Sequence, residues 1–131
     1  MAINAVQIEG GGGAQAQDVH DYRSAFTYSQ SFDLSGASAH NGDPIDLGAP
    51  GVMSILLTSS SLSASASPTL DLKFQTRGDS SESWVDAVSY TQQTSAGSAR
   101  KSFAVGRYVR PVITLGGTAP VAAGTLTGTF R

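Results

Sequence analysis

Arg100-Lys-Ser-Phe-Ala-Val-Gly-Arg107-Tyr-Val-Arg110-Pro-Val-Ile-Thr-Leu-Gly-Gly-Thr118 decides the fold, and the chain then runs on to Phe130-Arg131. Two strand-like runs flank a Gly-Gly-Thr turn, with the period-2 alternation of half-buried strands. A pair of alternating strands closing a chain predicts a β-sandwich. Five basic residues fall between Arg100 and Arg131, and no acidic ones. No catalytic constellation surrounds them, so the stretch reads as a surface for binding.

Upstream the same period recurs. Phe26, Tyr28, Phe32 and Leu34 sit at even positions with Ser and Thr between them. Gly36 to Pro44 is loop chemistry, and Ile45-Asp-Leu-Gly48 leads into a Pro50-Gly51 turn. Val52 to Thr58 is nearly continuous apolar, which predicts a strand covered on both faces or a central one. Ser59 to Ser67 reads as a Ser/Ala-rich loop closed by Pro68. Leu70, Leu72, Phe74 and Thr76 alternate with Asp71, Lys73 and Gln75 as a half-exposed strand. Arg77 to Ser83 is a polar turn, Trp84 to Tyr90 a further strand, and Gln92 to Gly97 a loop. Arg100 to Val105, Tyr108 to Leu115 and Leu126 to Phe130 complete the set. The expected fold is all-β, a jelly-roll-like antiparallel sandwich of about eight strands with a flexible N-terminal arm.

Gly10-Gly-Gly-Gly13 marks the boundary of that arm, because four Gly residues lose too much entropy to sit inside a strand. The division is 1–17 for the arm and Gly-rich joint and 18–131 for the sandwich. Residues 1–9 are either an unstructured terminus or a short strand that adds to a neighbouring sheet, with Ile3, Val6 and Ile8 as contacts.

At 131 residues the chain can bury a core without staples, and it has no Cys for disulfides or thiolate metal sites. Only 14% of residues are charged, against roughly 25% in an average globular chain, so small neutral side chains dominate its surface. A net charge of −2 argues against a general nucleic-acid binder. The longest apolar stretch is too short to span a bilayer, and no secretory signal is visible.

Few residues offer chemistry. His20 lies near Asp18 and Asp21, and His40 sits in a Gly/Asn loop; neither starts a converging ligand set. Ser is abundant, but none stands in a Gly-x-Ser-x-Gly turn. Asp71 and Asp86 are the nearest approach to paired acids, and both read more plainly as strand or turn polar groups. Arg77-Gly-Asp79 is an adhesion-like tripeptide that is also ordinary turn chemistry. Phe74, Trp84, Tyr90 and Tyr108 either pack the core or stack on sugar rings from an exposed face. Neither a cofactor nor an enzymatic activity is expected.

Ile45-Asp-Leu-Gly48, Leu72-Lys-Phe-Gln-Thr76 with Trp84, Gly106-Arg107-Tyr-Val-Arg110 and Gly116-Gly-Thr-Ala-Pro120 follow one another in an order that resembles small tailed-phage capsid cement (head decoration) proteins. The resemblance covers roughly residues 45–131 and lies in the order of the motifs. It implies a structural virion protein assembled in the host cytoplasm onto the outer capsid surface. The implied partners are the major capsid protein and further copies of the chain, as homodimer or homotrimer, with no nucleic acid or membrane. Arg107 and Arg110 are the expected interface residues beside the arm, since Arg pairs bidentately with carboxylates. The alternative is a carbohydrate- or receptor-binding sandwich module of a tail or head fibre. Trp84, Tyr90 and Tyr108 grouped on one exposed face would favour it.

Overall fold

The computed structural model describes residues 4–8 and 26–131. Among them lie ten strands and no helix: β1 (Asn4–Ile8), β2 (Phe26–Ser35), β3 (Ala39–Asn41), β4 (Ile45–Asp46), β5 (Gly51–Ser63), β6 (Ala66–Arg77), β7 (Val85–Ser89), β8 (Gly97–Val105), β9 (Tyr108–Thr118) and β10 (Val121–Phe130). The boundary between residues 17 and 18 falls outside the described residues.

From β2 onward the strands pair as one nested hairpin. β2 meets β10, β3 and β4 meet β9, β5 meets β8, and β6 meets β7, all antiparallel. That hairpin is rolled up by two further pairings, β10 with β5 and β9 with β6. Two sheets result, β1-β2-β10-β5-β8 and β3-β9-β6-β7, with β4 beside β9. Alternate nested pairs go to opposite sheets, which is jelly-roll topology. β3 and β4 fill one strand position between them, and β1 is added at the edge of the first sheet.

Alternation fills the space between the sheets. Tyr28, Gln30, Phe32 and Leu34 point inward from β2, and Met53, Ile55, Leu57 and Ser59 from β5. β6 contributes Leu70, Leu72 and Phe74, while β9 contributes Val109, Pro111, Ile113 and Leu115. Phe74 is the hub, with ring centroids 5.1 Å from Phe103, 6.1 Å from Tyr28 and 6.3 Å from Tyr90. Each such fully buried side chain contributes about 1.5–3 kcal/mol. Tyr90 donates its hydroxyl to the Ile55 carbonyl at 2.7 Å, tying the layers together. Burial pushes its pKa up to about 12.

The stretch Gly36 to Pro44, expected as loop, holds the short strand β3, two further local expectations are corrected, and the alternatives for Val52 to Thr58 are decided. Val52 to Thr58 is an interior strand of its sheet, but its burial alternates and Val52 is 51% exposed, so one face only is covered. Ser59 to Ser67 is not a loop, because β5 runs to Ser63 and β6 starts at Ala66. Cross-strand pairing with β10 carries the small residues along, and buried Ser59 donates to Gln93 Oε1 at 2.7 Å. The Gly-Gly-Thr turn also lies later than predicted. β9 continues to Thr118, and the chain reverses at Ala119-Pro120. Gly117 serves a close approach instead: its φ is +105°, and a Cβ would lie 2.6 Å from the carbonyl oxygens of Ala66 and Ser67.

Candidate functional site: an arginine–aromatic face

Strand register assembles the densest polar chemistry on the outer face of the second sheet. One row runs Asp46, Tyr108, Arg77 across β4, β9 and β6; the next runs Arg110, Gln75, Asp86 across β9, β6 and β7. Directly opposed residues of this kind are the units of sheet interaction. Arg110 donates Nε and Nη2 to Gln75 Oε1 at 3.0 and 2.8 Å, and Gln75 Nε2 donates to Asp86 Oδ1 at 3.1 Å. Lys73 Nζ closes the ladder 3.2 Å from the same carboxylate oxygen. These hydrogen bonds from Gln75 and Lys73 hold the Asp86 carboxyl below its ordinary value.

Around the rows, guanidiniums stack on rings. The Arg77 guanidinium carbon lies 4.3 Å from the Trp84 ring centroid and 5.8 Å from that of Tyr108. Arg110 lies 4.6 Å from the same Trp84 ring, and Arg107 5.2 Å from Tyr108. Cations are drawn to the negative ring face, and more strongly when partly desolvated. Arg77 Nη1 donates to the Glu82 carbonyl at 3.3 Å, while its Nε is buried with no hydrogen-bond partner. Burial and the neighbouring Arg77 charge both lower the Arg110 pKa.

Gly106 sets the corner. Its N–H donates to Thr76 Oγ1 at 2.7 Å, and a Cβ there would meet the Arg77 carbonyl at 2.9 Å. That close approach of the β8–β9 connection to the end of β6 brings Arg107 and Tyr108 beside Arg77. Arg107 then forms a fork with Asp46, Nε to Oδ1 and Nη2 to Oδ2, both at 2.8 Å. The pair holds the Asp46 carboxyl below its usual range and raises the Arg107 pKa, chiefly by side-chain hydrogen bonding.

The residues expected to act together are only partly gathered. Arg107 and Arg110 lie on the same face, but Arg107 is already committed to Asp46. Val6 and Ile8 belong to β1, which pairs with β2 of its own chain, Val6 at the register shift between Ala5 and Gln7. Ile3, His20, Asp18 and Asp21 lie outside the described residues. Tyr90 is in the core, so Trp84, Tyr90 and Tyr108 do not form one exposed aromatic face. The Arg-Gly-Asp tripeptide is turn chemistry: Asp79 accepts Ser81 N–H at 2.8 Å, Gly78 N–H donates to Glu82, and Arg77 turns to Trp84. His40 Nε2 lies 3.1 Å from the Gly36 carbonyl, and Asp71 accepts from Gln92 at 2.9 Å. Among the described residues no three His, Cys, Asp or Glu side chains gather as a metal site. Gln75 was legible only as a polar position of an alternating strand and Arg77 only as the start of a polar turn; β6 runs on to Arg77, and their junction with β9 is set by register.

No protein-family model and no curated protein matches this chain. Among solved structures, one described as "CBM4 structure and function" is similar over 96% of this chain and 77% of its own, at 10% identity and a TM-score of 0.31. No functional conclusion follows from likeness at that level.

Proposed function

We propose that this chain is a structural virion protein, a capsid cement that binds the outer surface of a phage head and bridges major capsid subunits. One observation carries the reading most: the densest chemistry among the described residues lies spread over an outer sheet face as a guanidinium–aromatic cluster, a form suited to contact with another protein. The motif order from Ile45 to Pro120 supplies the class of partner. The opposite face adds support. Rows such as Ser31-Thr125-Thr58-Ser98 and Thr27-Thr129-Ser54-Ser102 place small neutral side chains on the first sheet, on either side of a row that ends in Leu56 and Arg100. Such a face allows close approach, provided a partner supplies hydrogen bonds to its hydroxyls. Many modest contacts at symmetry-related sites then add through multivalency. The glycan-binding alternative loses its expected three-ring platform, since Tyr90 is internal and guanidiniums lie against Trp84 and Tyr108.

Co-sedimentation with undecorated phage heads, followed by heat or osmotic shock, tests this. Saturable binding with greater head survival is the expected result. Absence of binding rejects cementing and directs the work to a glycan screen.

A further inference from the structure

Two guanidiniums of the arginine–aromatic face lack a direct carboxylate partner among the described residues. The ion pairs among the described residues are Lys73–Asp86 and Arg107–Asp46. Neither Arg77 nor Arg110 has a carboxylate partner among them, and both are half-buried against one ring. We infer that Arg77 and Arg110, stacked on Trp84, form a receptor for a carboxylate-bearing loop of a partner protein. The inference deepens the cement reading and rests on it for the source of that loop.

Stacking holds the two guanidinium planes in place before any ligand arrives, which lowers the ordering cost of binding. Two like charges crowd each other there, so an incoming anion gains from both. The neighbouring Arg107–Asp46 fork shows that this face takes a carboxylate through guanidinium N–H donors; Arg110 gives Nε and Nη2 to Gln75, which leaves its Nη1 for an incoming carboxylate. A protein carboxylate fits better than a polyphosphate or sulfated chain. Asp79 lies close enough for Arg77 and Arg107 to help lower its pKa, Asp86 lies in the next row, and Glu82 caps the turn. A densely charged, stiff polyanion such as heparin or duplex DNA would run into these charges, whereas a flexible polypeptide can insert a single carboxylate side chain between them.

Trp84 is the one Trp of the chain, so its emission reports on the site directly. Titrating the full chain with poly-L-glutamate at low ionic strength is expected to change Trp84 emission saturably, and added salt to reverse the change. The R77Q/R110Q variant, its fold checked by thermal melting, should bind poly-L-glutamate and phage heads about tenfold more weakly or worse. An unresponsive Trp84 in the wild-type chain overturns the inference without any variant. Tighter binding of heparin or duplex DNA than of poly-L-glutamate also overturns it, in favour of a polyanion site. Undiminished head binding by a folded R77Q/R110Q removes the receptor and leaves cementing standing. A poly-L-glutamate response from a chain that ignores heads keeps the receptor and discards cementing.

Discussion

Arg107 and Asp46 illustrate how one side chain settles another's availability. Both are surface residues, and their fork holds Arg107 to its own chain. Arg110 is held by neutral Gln75 instead, so its charge stays uncompensated. Replacing Asp46 with Asn therefore frees Arg107 and removes a carboxylate whose folded pKa is lowered from 3.8. A lowered pKa means stabilisation that is full above the unfolded value and lost as pH falls through the folded one. Thermal melts should show D46N slightly less stable than wild type at pH 7, the gap closing as pH falls below 3.8 and through the lowered folded pKa. The effect is small because the pair is exposed and screened. An equal gap at both ends of that range would show that the pair's charge is not what Asp46 contributes.

Strands here are positioned by their connections as much as by their alternation. β9 reaches Thr118 because Gly117 adopts φ +105° and lets β6 come close. A register shift on β6 between Ala66 and Thr69 absorbs Pro68 beside it. G117A puts a methyl group against two carbonyl oxygens at a strained backbone position. The expected cost is about 1–3 kcal/mol, read from denaturant midpoints. β5 and β10 carry less strain but longer consequences, since their pairing turns a Ser-rich stretch into strand. Low-complexity composition predicted a loop there, and hydrogen bonding from neighbouring strands overrode it.

The rolled hairpin places its two faces in contrasting roles. One sheet shows mostly small Ser, Thr and Ala side chains outward, with Asp33, Arg100 and Val52 among them, the other the guanidinium–aromatic cluster, and Phe74 packs between them. F74A should destabilise the fold by about 3–5 kcal/mol through transfer loss and cavity formation. Because that cost spreads through a shared core, head binding should fall only as folded protein is lost, which melts run beside co-sedimentation will separate. Deleting residues 1–8 tests β1 in a different way. It uncovers the β2 edge without touching the arginine face. On the cement reading, heads decorated with the truncated chain should survive heat less well, while the Trp84 response to poly-L-glutamate stays unchanged.

Alternation along the chain was enough to establish the all-β class and the apolar rows of β2 and β6, and composition excluded a Cys framework. Those properties depend on each residue's own chemistry and on a period of two. The jelly-roll order was legible only as a class, since nesting β2 with β10 and β3 with β9 joins segments far apart in sequence. The site was legible in fragments: Arg107 and Arg110 stood out, while Gln75, Arg77 and Asp46 looked like ordinary surface and turn residues. Their roles depend on which residue faces which across a strand pair. Register is a tertiary quantity, set by whole sheets burying their apolar faces together, and a one-residue slip would have turned Arg77 away from Trp84.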